Sequence, residues 1–191
     1  CDRLGMLVWQ DMINGGDIYN NEALYGGGVW NDNDSTTEFI MYEGTITLNT
    51  ASCGGGIWSN DGATLLLKGG DITLNVAGTG GGAVWNNGKA NVEVDGVTII
   101  DNSANYGGGI WNNGGFVSIK SGYISKNMAT TDPAYINGNG GGIWNNGGVI
   151  NMTGGEITFN RAYLGGGVWC NDDSEFIMSG GVIAENEADV G

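Results

Sequence analysis

Apolar residues in this sequence fall in short alternating runs that recur at a nearly constant interval. Phe39 and Met41, Leu65 and Leu67, Val92 and Val94, Val117 and Ile119, Ile150 and Met152, and Phe176 and Met178 each bracket one residue of mixed character. A period of two marks a strand with one buried face. A glycine-containing break follows (Gly69-Gly70, Gly154-Gly155, Gly180-Gly181), and then a solitary isoleucine at 18, 46, 72, 99, 124, 157 and 183 predicts a second short strand. Three residues on stands an asparagine, and two beyond it an alanine; together they predict a bend. A third strand carries Val29, Ile57, Val84, Ile110, Ile143 and Val168, each followed directly by tryptophan.

These pieces form one repeat, best seen in Ile157-Thr158-Phe159-Asn160-Arg161-Ala162-Tyr163-Leu164-Gly165-Gly166-Gly167-Val168-Trp169. Its asparagine falls at Asn21, Asn49, Asn75, Asn102, Asn127, Asn160 and Asn186, in steps of 28, 26, 27, 25, 33 and 26 residues. A period in this range means a stacked architecture. Three short strands per coil, with aliphatic residues at matching positions, predict an all-β fold: a right-handed, single-stranded parallel β-helix of about seven coils. No coil can bury its own apolar face, so the core arises only from stacking. The hand follows from the right-handedness of parallel crossovers. Coils ~4.8 Å apart give a rod ~35 Å long. The whole of 1–191 reads as a single repeat domain. About eight extra residues within 130–139, including the only proline, Pro133, mark a loop insertion. The last unit stops at Ala188-Asp189-Val190-Gly191, where the others continue into the glycines and tryptophan. The sequence is therefore expected to be part of a longer polypeptide, with targeting and anchoring segments outside it.

Composition narrows the picture. Glycine is 39 of 191 residues, but with one proline and no triplet period collagen is excluded, and 40% hydrophobic residues with seven tryptophans exclude disorder. Six basic against 21 acidic residues give a formal charge of −15. Nucleic acid and anionic membrane surfaces are poor partners for such a protein, and no apolar run is long enough to span a bilayer. Cys53 and Cys170 would lie about four coils, or ~19 Å, apart, beyond disulfide reach. With no histidine and no CxxC, zinc is not expected.

The pattern of asparagine, alanine and GGG[IV]W resembles the repeats of chlamydial polymorphic outer-membrane proteins, which pair an FxxN box with a GGA[ILV] box. It is similar, too, to the right-handed β-helix repeats of large surface proteins from gut Gram-positive bacteria. The resemblance covers about 13–191, with isoleucine in place of the phenylalanine and a third glycine in place of the alanine. It implies an adhesin-like β-helix, secreted or displayed on a bacterial surface, and it identifies no catalytic residue. Separately, the stretch from Cys1 to Met12 is similar to a barrel segment of family 2 glycoside hydrolases. The remaining sequence has no alternating helix and strand pattern to build a barrel, and the same residues align with the internal repeat.

Candidate chemistry lies in several places. The asparagine column is expected to be structural, each amide bonding along the ladder and satisfying turn backbone groups. Asn60, Asn87, Asn113, Asn146 and Asn171 are expected to do likewise at a second corner. In Trp30, Trp58, Trp85, Trp111, Trp144 and Trp169 the indoles follow a core residue, so alternation points them outward as an aromatic stripe for a carbohydrate or a protein surface. The alternative folds them inward over the glycines as core. In the insertion, Tyr135, Asn137 and Asn139 suit hydrogen bonding to a ligand. Asp71, Asp95 and Asp101 are the nearest approach to hydrolase carboxylates, as in a pectin lyase-like enzyme, but they fall in different columns, and such chemistry needs convergence. No cofactor is expected; oxygen-rich clusters at Asn31–Asp34 and Asn171–Asp173 offer only a weak Ca²⁺ site. The reading is a non-enzymatic binding β-helix, with a polysaccharide-active enzyme and a structural spacer as alternatives.

Overall fold

The computed structural model describes residues 16–32, 37–130, 137–171 and 173–190. The short first unit with Trp9, Asn33 and Asp34, Pro133 and Tyr135 of the insertion, and Asp172 lie outside them. Among the described residues there is no helix, and strands pair in parallel with their equivalents one coil away. The result is a parallel β-solenoid of about six turns with three faces.

The first face is an 11-stranded sheet. Each coil gives it the alternating segment, such as Glu38–Met41 or Thr64–Leu67, and the isoleucine segment, such as Thr45–Thr47 or Asp71–Thr73. Between the two segments sits a glycine at φ of 81–102° (Gly44, Gly70, Gly96, Gly122, Gly155, Gly181), a conformation that any larger residue would find strained. In Asn91–Ile100 and Phe116–Ser125 the strand runs straight through this bend. The second face is a seven-stranded sheet that starts just after the asparagine: Glu22–Tyr25, Thr50–Cys53, Val76–Gly80, Ser103–Tyr106, Met128–Ala129, Arg161–Leu164 and Glu187–Val190. The third is a six-stranded sheet carrying the tryptophans: Val29–Asn31, Ile57–Ser59, Val84–Asn87, Ile110–Asn113, Ile143–Asn146 and Val168–Cys170.

The predicted three strands per coil are present, but they divide the repeat differently. The two apolar segments around the glycine share one sheet. The alanine, expected in a bend, lies inside a strand and stacks as Ala23↔Ala51↔Ala77↔Ala104↔Ala129. The bend itself is confined to the residue before the asparagine and the asparagine.

The core is the stack of inward columns. Ile46, Ile72, Ile99, Ile124 and Ile157 face Leu65, Leu67, Val92, Val94, Ile119, Ile150 and Met152, and all of them are buried. At about 1.5–3 kcal/mol per buried aliphatic residue, these columns are the main source of stability. The asparagines close the corner between the first two sheets. Each donates both its backbone N–H and its Nδ2 to the Oδ1 of the asparagine one coil on: Asn49 to Asn75, Asn75 to Asn102, Asn102 to Asn127, all at 3.0 Å. The second Nδ2 proton reaches back to the isoleucine carbonyl of the preceding coil, as Asn102 does to Ile72 at 2.9 Å. A buried ladder of amides thus replaces the regular sheet bonds that the backbone gives up at this turn.

The turn has a local cost. The residue before every asparagine is left-handed: Asn20, Leu48, Leu74, Asp101, Lys126, Phe159 and Glu185 have φ of 53–56°. Residues other than Gly, Asn and Asp are strained there by about 1–2 kcal/mol. Leu74 is half exposed, so its burial gives little in return. Leu74→Asn, which copies the residue used at position 20, is expected to stabilise the solenoid by about 0.5–1 kcal/mol. The check is an upward shift of the urea midpoint at unchanged slope.

Candidate functional site

The tryptophans stand on the third face because of simple alternation. Val29, Ile57, Val84, Ile110 and Ile143 point into the core and are 0–2% exposed, which turns the next residue outward. Parallel pairing then aligns Trp30↔Trp58↔Trp85↔Trp111↔Trp144↔Trp169. Neighbouring ring centroids are 5.3, 6.0, 4.5, 4.7 and 5.5 Å apart, and the planes of Trp85 and Trp111 lie within 7° of parallel.

Outward does not mean bare. The indoles lie back over the glycine turn and against the residue that precedes it. Tyr25 sits 4.4 Å from Trp58, and Tyr106 is 4.4 Å from Trp144. In the two coils between them the equivalent places hold Cys53 and Gly80, and a Cβ at Gly80 would fall on the six-membered ring of Trp111. With no side chain at position 80, Trp111 sinks in to 9% exposure, while the other five stay half-buried. A one-residue bulge between Ala77 and Gly80 accompanies this change. The N–H groups of Trp30, Trp58, Trp85, Trp111 and Trp144 are buried without a hydrogen-bond partner. Leaving such a group unpaired costs about 1–3 kcal/mol, whereas burying most of an indole returns about 4–6 kcal/mol. Burial wins, and the faces of the rings are occupied by one another. What the column offers to solvent is a ridge of ring edges.

Two further amide ladders border this ridge. Asn31, Ser59, Asn86, Asn112 and Asn145, each directly after a tryptophan, point back inward and are buried. Asn86 donates to Asn112 and Asn112 to Asn145, both at 2.8 Å, while Asn31 donates to Ser59 at 3.2 Å. Sequence reading missed this buried ladder. The signal was present in the same alternation that turned the tryptophans out, carried one residue further. The expected second-corner asparagines form the outer ladder: Asn60 to Asp32 at 2.9 Å, Asn87 to Asn60 at 2.7 Å, Asn113 to Asn87 at 2.8 Å, Asn146 to Asn113 at 2.7 Å, and Asn171 to Asn146. Its amides donate toward the N-terminal coils, opposite to the two inner ladders. Asp32, a carboxylate that only accepts, stands at the receiving end and fits that direction.

The remaining candidates do not converge. Asp71 is exposed in the isoleucine strand, aligned with Thr45 and Thr98. Asp95 lies at the glycine bend, accepts from Ser121 Oγ at 2.8 Å and pairs with Lys68 at 3.6 Å. Asp101 occupies the strained position before Asn102. Beside Asp95, Glu93 is held between Lys120, at 2.6 Å, and Lys68. Hydrogen bonds from Lys120 and then Lys68 hold its carboxyl below the usual range; surface pairs of this kind contribute under ~1 kcal/mol. Asn31, offered for calcium, is committed inside the inner ladder, also donating to the Thr64 carbonyl at 2.9 Å. Asn171 is likewise engaged by Asn146. Among the described residues no three acidic, histidine or cysteine residues stand close enough to hold a metal ion. In the insertion, Asn137 is exposed, and Asn139 bridges Tyr106 and Leu164 within the second face, so its backbone belongs to the sheet. Cys53 is buried in the second face and Cys170 exposed in the third, both free; burial pushes the Cys53 thiol up, and partial desolvation by its neighbours does the same to Cys170. Compared with family models, curated proteins and solved structures, the sequence and its fold match none.

Proposed function

We propose that this solenoid is a non-enzymatic binding rod of the adhesin kind, displayed outside a bacterial cell, whose indole ridge docks on a partner surface. The observation that carries the reading is the register-locked column of six outward tryptophans. Tryptophan and tyrosine are the residues that dominate interface energetics, and a column repeated coil after coil suits an extended partner. Ring geometry refines the kind of partner. Stacking on a sugar uses a free aromatic face, and here successive faces cover one another. A protein surface that receives apolar edges therefore fits better than a glycan lying flat on the rings.

The test pairs binding with folding. Trp85→Ala with Trp144→Ala is expected to weaken capture of the partner at least tenfold, about 1.4 kcal/mol or more, while the β-type circular dichroism persists. A glycan array should stay dark or respond weakly. Strong glycan binding lost in the same variant would move the reading to carbohydrate. Unchanged binding to every surface tried, with the fold intact, would leave a spacer. That second reading has its own support, since stacked, half-buried indoles with buried N–H groups also serve simply to glue coils together. Reducing-sugar release from a polysaccharide panel, abolished by Asp71→Asn, Asp95→Asn or Asp101→Asn, would overturn the non-enzymatic assignment.

A further inference from the structure

The outer ladder contains three asparagines followed directly by glycine: Asn87-Gly88, Asn113-Gly114 and Asn146-Gly147. An Asn-Gly step is the most reactive context for deamidation, because nothing shields the glycine nitrogen as it approaches the asparagine amide. The three steps occupy equivalent rungs, and each amide donates to the rung before it and accepts from the rung after it. The reacting carbonyl carbon is therefore held alike in all three. The nucleophile is not. Gly88 N–H donates to the Asn113 carbonyl and Gly114 N–H to the Asn146 carbonyl, both at 2.9 Å, as backbone bonds between coils just past the strand ends. Gly147 N–H instead reaches a side-group oxygen, Asn171 Oδ1, at 3.2 Å. Gly147 is exposed, as Gly114 is, but of the three glycines it is the one whose Cβ position opens onto empty space.

We propose that Asn146 is the deamidation site of the outer ladder, with Asn87 and Asn113 protected by the same fold. In the reaction Gly147 N loses its proton to base and attacks Asn146 Cγ. A new bond between these two atoms closes a succinimide, the bond from Cγ to Nδ2 breaks, and that nitrogen departs as ammonia. Water then opens the ring to aspartate or isoaspartate. No oxidant or reductant takes part. The product changes the ladder in one direction only. A carboxylate at 146 still accepts from Asn171 but can no longer donate to Asn113, so two oxygens face each other across that rung. Position 32 already carries a carboxylate without that penalty, because it only accepts. The isoaspartate product also adds a backbone carbon at the end of Ile143–Asn146, displacing the turn that follows.

The experiment incubates the folded, full-length protein at mildly alkaline pH in ¹⁸O-water and maps the products by peptide mass spectrometry. A urea-unfolded sample runs in parallel, and Asn137, exposed and outside the ladder, is the internal reference. In urea the three ladder sites should react at rates within a few-fold of one another. In the folded protein Asn146 should react at least tenfold faster than Asn87 and Asn113. Equal folded rates at the three sites, a lead by Asn87 or Asn113, or no reaction at Asn146 while Asn137 converts would each overturn the proposal. Asn171→Ala provides an independent check, since loss of the Gly147 acceptor should speed Asn146 further and leave Asn87 unchanged. A slower Asn146 in that variant would count against the assigned nucleophile.

Discussion

Gly55→Ala is expected to unfold much of this protein by adding a single methyl group. Gly55 is the middle residue of the second glycine triplet and has no positive φ, so backbone conformation is not the obstacle. Space is. A Cβ there would sit 2.6 Å from the Gly82 carbonyl oxygen, 2.6 Å from the Val76 carbonyl oxygen and 2.7 Å from the Val76 carbonyl carbon, all backbone atoms of the next coil. A flexible neighbour could rotate away, but a sheet backbone can yield only by parting the coils. That would break the Gly55 to Gly81 and Gly56 to Gly82 bonds, at 3.0 and 3.1 Å. The expected loss is more than about 4 kcal/mol, against a total stability of about 5–15 kcal/mol for a typical domain. Gly78→Ala is the control, because its nearest neighbour is 3.8 Å away, and it should leave the melting temperature nearly unchanged. Thermal unfolding followed by circular dichroism compares the two; a Gly55→Ala variant as stable as wild type would mean that the coils can part at this triplet without losing their bonds.

The second large effect belongs to Asn102→Ala. Asn102 is 1% exposed. Its Oδ1 accepts from the Asn75 backbone N–H and from Asn75 Nδ2, both at 3.0 Å. Its own Nδ2 serves Ile72 and Ile100 carbonyls and Asn127 Oδ1 at 2.9, 3.0 and 3.0 Å. Truncation strands the Asn75 N–H and the Ile72 carbonyl in a dry corner, and each stranded group costs about 1–3 kcal/mol. Together with the cavity, the expected loss is about 3–5 kcal/mol, measured as a fall in the urea midpoint. Asn102→Asp keeps the shape but cannot donate, and it should be no better at neutral pH. A loss below ~1 kcal/mol for either variant would show that water enters the corner and takes over the amide's bonds.

The solenoid was legible in the sequence because each column repeats. One alternating run is ambiguous, but Ile18, Ile46, Ile72, Ile99, Ile124, Ile157 and Ile183 at matched spacing leave a single arrangement that buries such a column. The asparagine ladder was legible for the same reason. The strand containing the alanine was not, because a run such as Glu22-Ala23-Leu24-Tyr25 has only one small inward residue and little apolar contrast. The outward turn of the tryptophans followed from the β-branched residue before them. Their mutual burial did not, since it depends on how far each indole leans over the glycine turn, and Trp111 leans furthest only because position 80 is a glycine. The acids gave no local signal to place them, and stacking distributed Asp71, Asp95 and Asp101 over separate lanes.

One feature of the fold reaches beyond any single residue. The strand pairs, the asparagine rungs and the tryptophan stack join each coil to the equivalent positions of its immediate neighbours. Asn102 receives from Asn75 what it passes on to Asn127. A gene that gained or lost one whole repeat would therefore keep the isoleucine and asparagine columns continuous, each residue meeting its own kind above and below. The molecule can be tuned as a ruler, graduated in steps of one coil, and the reach of its indole ridge would change in the same increments.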